Sequence, residues 1–377
     1  MKTFHESQGG YGWTQKDIYP IISHETSDGM LWDIKGNSYL DFFSGCCTNS
    51  FGLYPSIVEV IKTQSEKLIS YYDYLHVERL KLSENIIKHT SPDYKIMYMV
   101  SGSQAIELAI RFAVYNNPKA HVYIFDTAFH GTCMGTNQLC NRPARDKYYF
   151  PNTLDIKVAH HYLDVKPNNI LILEPYESAN MGGHIRSNEE LQNIVNHCTK
   201  NNIILIWDEI QTGMGRTGDL FVCNKINYWP DILVAGKCIA NGLPLSAIMF
   251  NSKKLKDWDG NAYSSTFNAN PLACAVGNVI FRLLYGADWL NYIKEIGHYF
   301  DGVLKYNFPN SAQAEGLYGY ITIPNHRNLL KKCLNNGLYL RYTHGKLLLT
   351  PKYTVTKSDI DALVYILKND VLKGDDK

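Results

Sequence analysis

The sequence predicts an α/β protein: a large domain on a mostly parallel sheet covered by helices, with a smaller α+β domain beside it. Three observations carry this expectation. The chain has 377 residues, more than one ordinary core accommodates. Its middle alternates short apolar runs with amphipathic stretches of helical period. The apolar runs are continuous rather than alternating, which is how strands buried on both faces read.

In chain order, Met30-Leu31-Trp32-Asp33, a Lys35-Gly36-Asn37 turn and Tyr39-Leu40 predict a small hairpin. Strands are expected at 96–100, 121–125, 170–173, 203–207, 232–235 and 246–250, with helices such as 104–115 and 189–200 between them. Beyond about residue 280 the pattern is helix, then short strands near 319–323 and 338–341. A last strand at 346–350 precedes a capped helix starting near Thr356 and Asp359. The expected division is a large domain at 41–279 and a small one formed by 1–40 with 280–377.

Composition narrows the function. Hydrophobic content of 45% and charged content of 19% describe a folded protein. A net charge of +1 gives no bulk attraction to nucleic acid or to an anionic membrane. Most of the 27 tyrosines are expected to fill core and interfaces. The nine cysteines form no Cys-x-x-Cys pair and no zinc spacing, and their odd number argues against a full disulfide framework. Reduced thiols in a cytoplasmic protein are expected, with no metal site. The N-terminus has no apolar signal region, and the uncharged stretch 261–281 carries asparagines and Pro271, unlike a membrane span.

In sheets of this kind ligands lie beyond the C-terminal strand ends. The residues there are Ser101-Gly102-Ser103, Asp126 to His130, Glu174, Asp208 and Gly236-Lys237. Lys237, between an apolar strand and a loose Asn241-Gly242-Leu243-Pro244 turn, suits an amine that forms a Schiff base with a carbonyl. The alternative is a lysine snorkelling from a strand end. Asp208 suits the acidic partner of a pyridine nitrogen, or else a helix cap or a Mg²⁺ ligand. No phosphate-binding glycine loop of the nucleotide enzymes accompanies it. Gly102 and Ser103 open a helix, where free amides favour a phosphate; an ordinary N-cap reads the same way. Phe129 could stack on a planar ring, or it and His130 could be core. Thr266 offers a hydroxyl, or caps the helix that starts at Pro271. Together Lys237 and Asp208 suggest pyridoxal phosphate chemistry.

In order and spacing these segments resemble the class III (ornithine/GABA/ω-amino acid) aminotransferases of fold-type I. The resemblance covers nearly the whole chain: residues 30–42, 101–105, Phe129-His130-Gly131 and Glu174-Pro175. The most specific stretch is Asp208-Glu209-Ile210-Gln211-Thr212-Gly213-Met214-Gly215-Arg216-Thr217-Gly218. Gly236-Lys237, Gly242-Leu243-Pro244 and residues 266–271 follow.

The resemblance implies a fold-type I transferase using pyridoxal 5'-phosphate. It implies that Lys237 forms the Schiff base and shuttles the proton, that Asp208 pairs with the pyridine nitrogen, and that Gln211 contacts the ring oxygen. Phe129, followed by His130, stacks on the ring, and Gly102 and Ser103 hold the phosphate. Thr266 reaches the same phosphate from the neighbouring subunit of a homodimer.

The chain also departs from the family. Tyr176-Glu177-Ser178-Ala179 replaces the usual Gln-Gly-Glu region, and the following Asn180-Met181-Gly182 is similar to the glutamate-1-semialdehyde aminomutase branch. Leu348 stands where many members carry the arginine that grips a substrate carboxylate, and leucine makes no such clamp. The expected activity is transfer of an amino group from an amine or amino acid to a keto or aldehyde acceptor, with at least one substrate unlike an ordinary α-amino acid. Cys46, Cys47, Tyr176, Glu177 and Leu348 are candidate substrate residues, together with Tyr11 and Trp13. Arg142 and Arg145 are candidate replacements for the missing arginine. An aminomutase or epimerase, and a catalytically silent dimeric binding protein, are the alternatives.

Overall fold

The computed structural model describes residues 23–27, 29–140, 154–177, 183–257, 264–323 and 328–373. Three strands come first: β1 (Ser23–Ser27), β2 (Met30–Asp33) and β3 (Ser38–Asp41). β2 and β3 form the predicted hairpin. Asp33 pins its turn by accepting the N–H groups of Lys35 (2.8 Å) and Asn37 (2.9 Å). β1 pairs antiparallel with β2, and its Ser-His-Glu-Thr-Ser sequence has no apolar residue to announce it. Helices α1 (Pro55–Ser65) and α2 (Val77–His89) follow.

The middle of the chain runs β4 (Tyr94–Met99), α3 (Gly102–Asn116), β5 (Val122–Phe125), β6 (Ile156–Ala159), β7 (Ile170–Leu173), α4 (Asn188–Lys200), β8 (Ile204–Glu209), β9 (Ile232–Ala235) and β10 (Ser246–Asn251). These strands form one seven-stranded sheet, ordered β4-β10-β9-β8-β7-β5-β6. β6 through β9 and β5 are joined by parallel pairing, and β10 runs antiparallel to both neighbours. The reversal has a simple cause: residues 236–245 are fewer than the dozen or so a parallel crossover needs. Separate apolar clusters cover the sheet's two faces, as the continuous apolar strands require. β6 was not expected; it is a half-exposed edge strand with a lysine inside it.

The remainder comprises α5 (Pro271–Gly286), α6 (Trp289–Asn307), β11 (Ala312–Glu315), β12 (Tyr318–Thr322), α7 (Leu329–Asn335), β13 (Leu338–Tyr339), β14 (Arg341–Thr343), β15 (Lys346–Leu349) and α8 (Lys357–Ile366). A reciprocal capping box between Thr356 and Asp359 starts α8. The run expected as one strand at 338–341 is two. The chain turns at buried Leu340, so β13 pairs with β3 in one four-stranded sheet and β14 pairs with β15 in another. Through β3 and β13 the N-terminal strands are joined to the C-terminal part.

Candidate active site

The C-terminal ends of the central strands surround a cavity of about 180 Å³. Gly102, Ser103, Phe129, His130, Asp208, Gln211 and Lys237 all line it, together with Glu174, Gly131 and Ile210. They arrive from the ends of five strands, β4, β5, β7, β8 and β9, which is why residues far apart in sequence meet here.

Asp208, near the end of β8, is buried and held from two sides. Its Oδ2 lies 2.8 Å from His130 Nδ1, and its Oδ1 accepts the N–H of Ile210 at 3.0 Å. A carboxylate only accepts, so Nδ1 carries the hydrogen and donates it. Nε2 of the same ring is buried without a partner among the described residues. Burial alone would push the imidazole down, but the hydrogen bond and charge of Asp208 outweigh it and raise its pKa. Glu174, at the end of β7, accepts the N–H of Phe129 at 2.9 Å and so fixes the aromatic residue's backbone. Burial, reinforced by the charge of Asp208 and opposed by His130, pushes the Glu174 carboxyl up to about 7.

At the start of α3 the Ser101 hydroxyl caps the helix by accepting the Gln104 N–H at 3.3 Å. The capping alternative is therefore realised at Ser101. The N–H groups of Gly102 and Ser103 have no partner among the described residues and line the cavity with the helix dipole behind them. The approach is close: a Cβ on Gly102 would lie 2.8 Å from Ile210 Cδ1, and one on Gly131 (φ +129°) 2.5 Å from Ser103 Oγ.

Lys237 begins a short turn, Lys237–Ala240, in the left-handed region at φ +43°. A lysine held there is strained by roughly 1–3 kcal/mol, the kind of cost that persists where the surroundings over-determine a functional position. Its amine is half-buried and has neither a hydrogen bond nor an ion pair among the described residues. Beside it packs a second left-handed turn, Ser44–Cys47, with positive φ at Ser44, Gly45, Cys46 and Cys47. Burial pushes the Cys46 thiol up, and the positive charge of nearby Lys237 pulls it back. Gln211 Nε2 lies 3.9 Å from Cys47 Sγ. Both cysteines therefore stand next to the cavity, although the adjacent pair gives no sign in the sequence of this turn.

Other candidates lie elsewhere. Thr266 is exposed in the turn before α5, whose cap is Asn270, accepting the Ala273 N–H at 2.9 Å. Tyr176, Glu177 and Leu348 do not line the cavity. Tyr176 is core, with Lys225 over its ring. Glu177 is buried in an ion pair with Arg186, which also donates to the Glu174 carbonyl at 2.8 Å. Leu348 is fully buried on β15. Tyr11, Trp13, Arg142, Arg145 and residues 178–182 lie outside the described residues. Two buried groups behind the site were not anticipated. Glu209 accepts from Trp207 Nε1, Thr212 and the N–H groups of Val222 and Cys223. Arg216 donates to the carbonyls of Leu317 (3.1 Å) and Pro351 (2.5 Å) and to Ser50 Oγ (2.6 Å).

A free amine, an immobilised carboxylate and two open N–H groups at a helix N-terminus fit an aromatic aldehyde that carries a ring nitrogen and a phosphate. Among the described residues no helix is long and apolar enough to cross a membrane.

Comparison with known proteins identifies the family. A family model for class III aminotransferases matches residues 12–371. The chain is 30% identical over 380 positions to an ornithine aminotransferase from Oceanobacillus iheyensis, covering 94% of this chain and 95% of that one. It is 29% identical over 362 residues to an acetylornithine aminotransferase from Aquifex aeolicus, covering 90% and 93%. Its fold matches an ornithine aminotransferase from Toxoplasma gondii, whose active site holds pyridoxal phosphate at partial occupancy. The TM-score is 0.89 at 22% identity, with 98% and 93% covered. Another match is an acetylornithine aminotransferase from Elizabethkingia anophelis, with TM-score 0.82, 24% identity and 98% of both chains covered. The chain therefore belongs to the class III aminotransferases and is a transaminase that depends on pyridoxal 5'-phosphate.

Proposed function

We propose that Lys237 is the amine that holds the cofactor's aldehyde, and that a primary amine on a carbon chain of about ornithine's length is the donor. The observation that carries the role of Lys237 is the pairing of this free, strained lysine with an Asp208 fixed by His130 in the same cavity, and the donor's length follows the relatives' names. When bound, pyridoxal phosphate supplies an aldehyde for the donor's amine and a ring that accepts the electrons released as the donor's C–H bond breaks. Asp208 would hold a proton on the ring nitrogen through a charge-assisted hydrogen bond, and His130 keeps Asp208 in place. The N–H groups of Gly102 and Ser103 and the Ser103 hydroxyl would take the phosphate. Phe129 would cover the ring face, Gln211 would reach the ring oxygen, and the Lys237 amine would carry the proton.

A homodimer with shared sites completes this reading. Ile69, Tyr71, Tyr72, Tyr74, Leu75 and Val77 are exposed, as is Phe267 next to Thr266. The Tyr72 hydroxyl donates to Ser264 Oγ at 3.4 Å, so this apolar surface adjoins the Thr266 turn. A second copy burying that surface would carry Thr266 to its neighbour's phosphate. The nine free cysteines fit a reducing compartment such as the cytoplasm. The division into a large part at 41–279 and a small part at 1–40 with 280–377 remains the organisation we propose.

The test is spectroscopic. Protein loaded with pyridoxal phosphate should show a visible cofactor band that ornithine, acetylornithine or glutamate bleaches and a 2-oxo acid restores. Lys237→Ala should abolish the cycle, and Asp208→Asn should slow it by roughly 10²-fold or more. A Lys237→Ala variant that cycles at the wild-type rate would refute the assignment, and turnover of one substrate with no acceptor would favour the mutase chemistry instead.

A further inference from the structure

Among the described residues, Arg186 and Arg216 have their terminal nitrogens taken. Arg186 is taken by Glu177 and the Glu174 carbonyl, and Arg216 by two carbonyls and Ser50. Arg341 is different. It is half-buried on β14, with no hydrogen bond or ion pair among the described residues. A guanidinium that has lost part of its hydration and gained no partner is a receptor for an anion.

Its position is set by backbone register. Arg341 lies directly opposite Leu348, which lies directly opposite Tyr320. Directly paired residues of antiparallel strands project to the same face, so the three side chains share one face of that sheet.

The chain around it leads to the active site. Phe42 N–H donates to the Tyr339 carbonyl at 2.8 Å, just before Arg341. The Ser44 hydroxyl donates to the Thr350 carbonyl at 2.7 Å, and the Thr350 hydroxyl to the Phe43 carbonyl at 2.9 Å. Residues 42–44 are thus clasped between the ends of β13 and β15. The left-handed Ser44–Cys47 turn continues from this clasp to pack on the Lys237–Ala240 turn. Cys46, within that turn, feels the positive charge of both Lys237 and Arg341. Arg341 and Lys237 therefore both lie within electrostatic reach of the same turn. Fully buried Leu348 opposite Arg341 adds apolar surface there, where a charge-assisted pair is less screened than in water.

We propose that Arg341 is the specificity-determining residue that receives a carboxylate carried by the substrate, while Lys237 handles its amine. This rests on the cofactor pocket proposed above. The guanidinium's two parallel N–H donors suit a bidentate grip on a carboxylate, which lysine cannot reproduce.

Glutarate, an unreactive dicarboxylate, is the probe, with binding to cofactor-loaded enzyme measured by titration calorimetry. Wild-type protein should bind it, and Arg341→Gln should bind at least tenfold more weakly. Arg341→Lys, which keeps the charge but not the fork, should fall between and serves as the test if the glutamine variant does not fold. In kinetics, Arg341→Gln should reduce the preference for 4-aminobutyrate over butylamine at least tenfold, through a higher KM for 4-aminobutyrate. A merely structural residue would move both amines together. Equal glutarate binding in both variants and wild type, no binding to wild type, or an unchanged preference would each overturn the proposal. Failure of wild-type protein to hold the cofactor would instead overturn the pocket beneath it, and the visible band reports that separately.

Discussion

At the level of single residues, the chemistry was legible wherever a rare residue type sat in an unusual place. Lys237 after an apolar strand and Asp208 at the end of another are such residues, and the structure brings both to one cavity. Invisible in the sequence were partnerships that only the fold creates. His130 against Asp208 is one. Glu209 is another: its two oxygens accept four donors from Trp207, Thr212, Val222 and Cys223. Glu209→Gln would turn one of those oxygens into a donor facing donors, and should destabilise the protein by about 2 kcal/mol or more. Thermal unfolding measures this; an unchanged midpoint would show that the network is dispensable. Glu174 carries a pH dependence. Folding raises its pKa to about 7, so the folded state favours the protonated form. Its contribution is complete below the unfolded carboxylate range and is lost as pH rises through about 7. In cofactor-free protein, the wild type should therefore lose midpoint temperature relative to Glu174→Gln between about pH 5 and pH 8. A difference that stays constant with pH contradicts this.

At the level of elements, the continuous apolar runs marked the buried strands with small boundary errors. Elements without that signature were missed or merged. β1 has no apolar residue, β6 is a half-exposed edge, and residues 338–341 serve two sheets because the chain turns at Leu340. The start of α3 shows how closely neighbouring elements are fitted around the proposed phosphate cradle. Gly131, after β5, approaches Ser103 Oγ so tightly that an added Cβ would sit 2.5 Å away, and 2.7 Å from Thr136 Oγ1. Gly131→Ala should displace Ser103 and weaken pyridoxal phosphate binding about tenfold or more, near 1.4 kcal/mol. Cofactor titration followed by absorbance decides it, and unaltered affinity would remove Ser103 from the cradle.

At the level of the whole molecule, the site depends on distant segments held together. Arg216 ties the turn after β8 to Ser50, Leu317 and Pro351, joining the central sheet to the C-terminal part. In the proposed homodimer, the exposed apolar surface around Tyr74 and Leu75 would extend this dependence to a second copy. Leu75→Asp should shift sedimentation from dimer to monomer and lower cofactor affinity, because Thr266 would no longer reach its neighbour. A wild-type protein that sediments as a monomer would contradict the shared site. The amino-group transfer itself is tested most directly by separating its halves. Loaded enzyme is treated with the donor that bleaches its band, desalted, and given 2-oxoglutarate alone. The predicted result is one amino group delivered per Lys237, with the visible band restored. No amino group delivered, or an amine returned to the donor's own carbon skeleton without an acceptor, would contradict it.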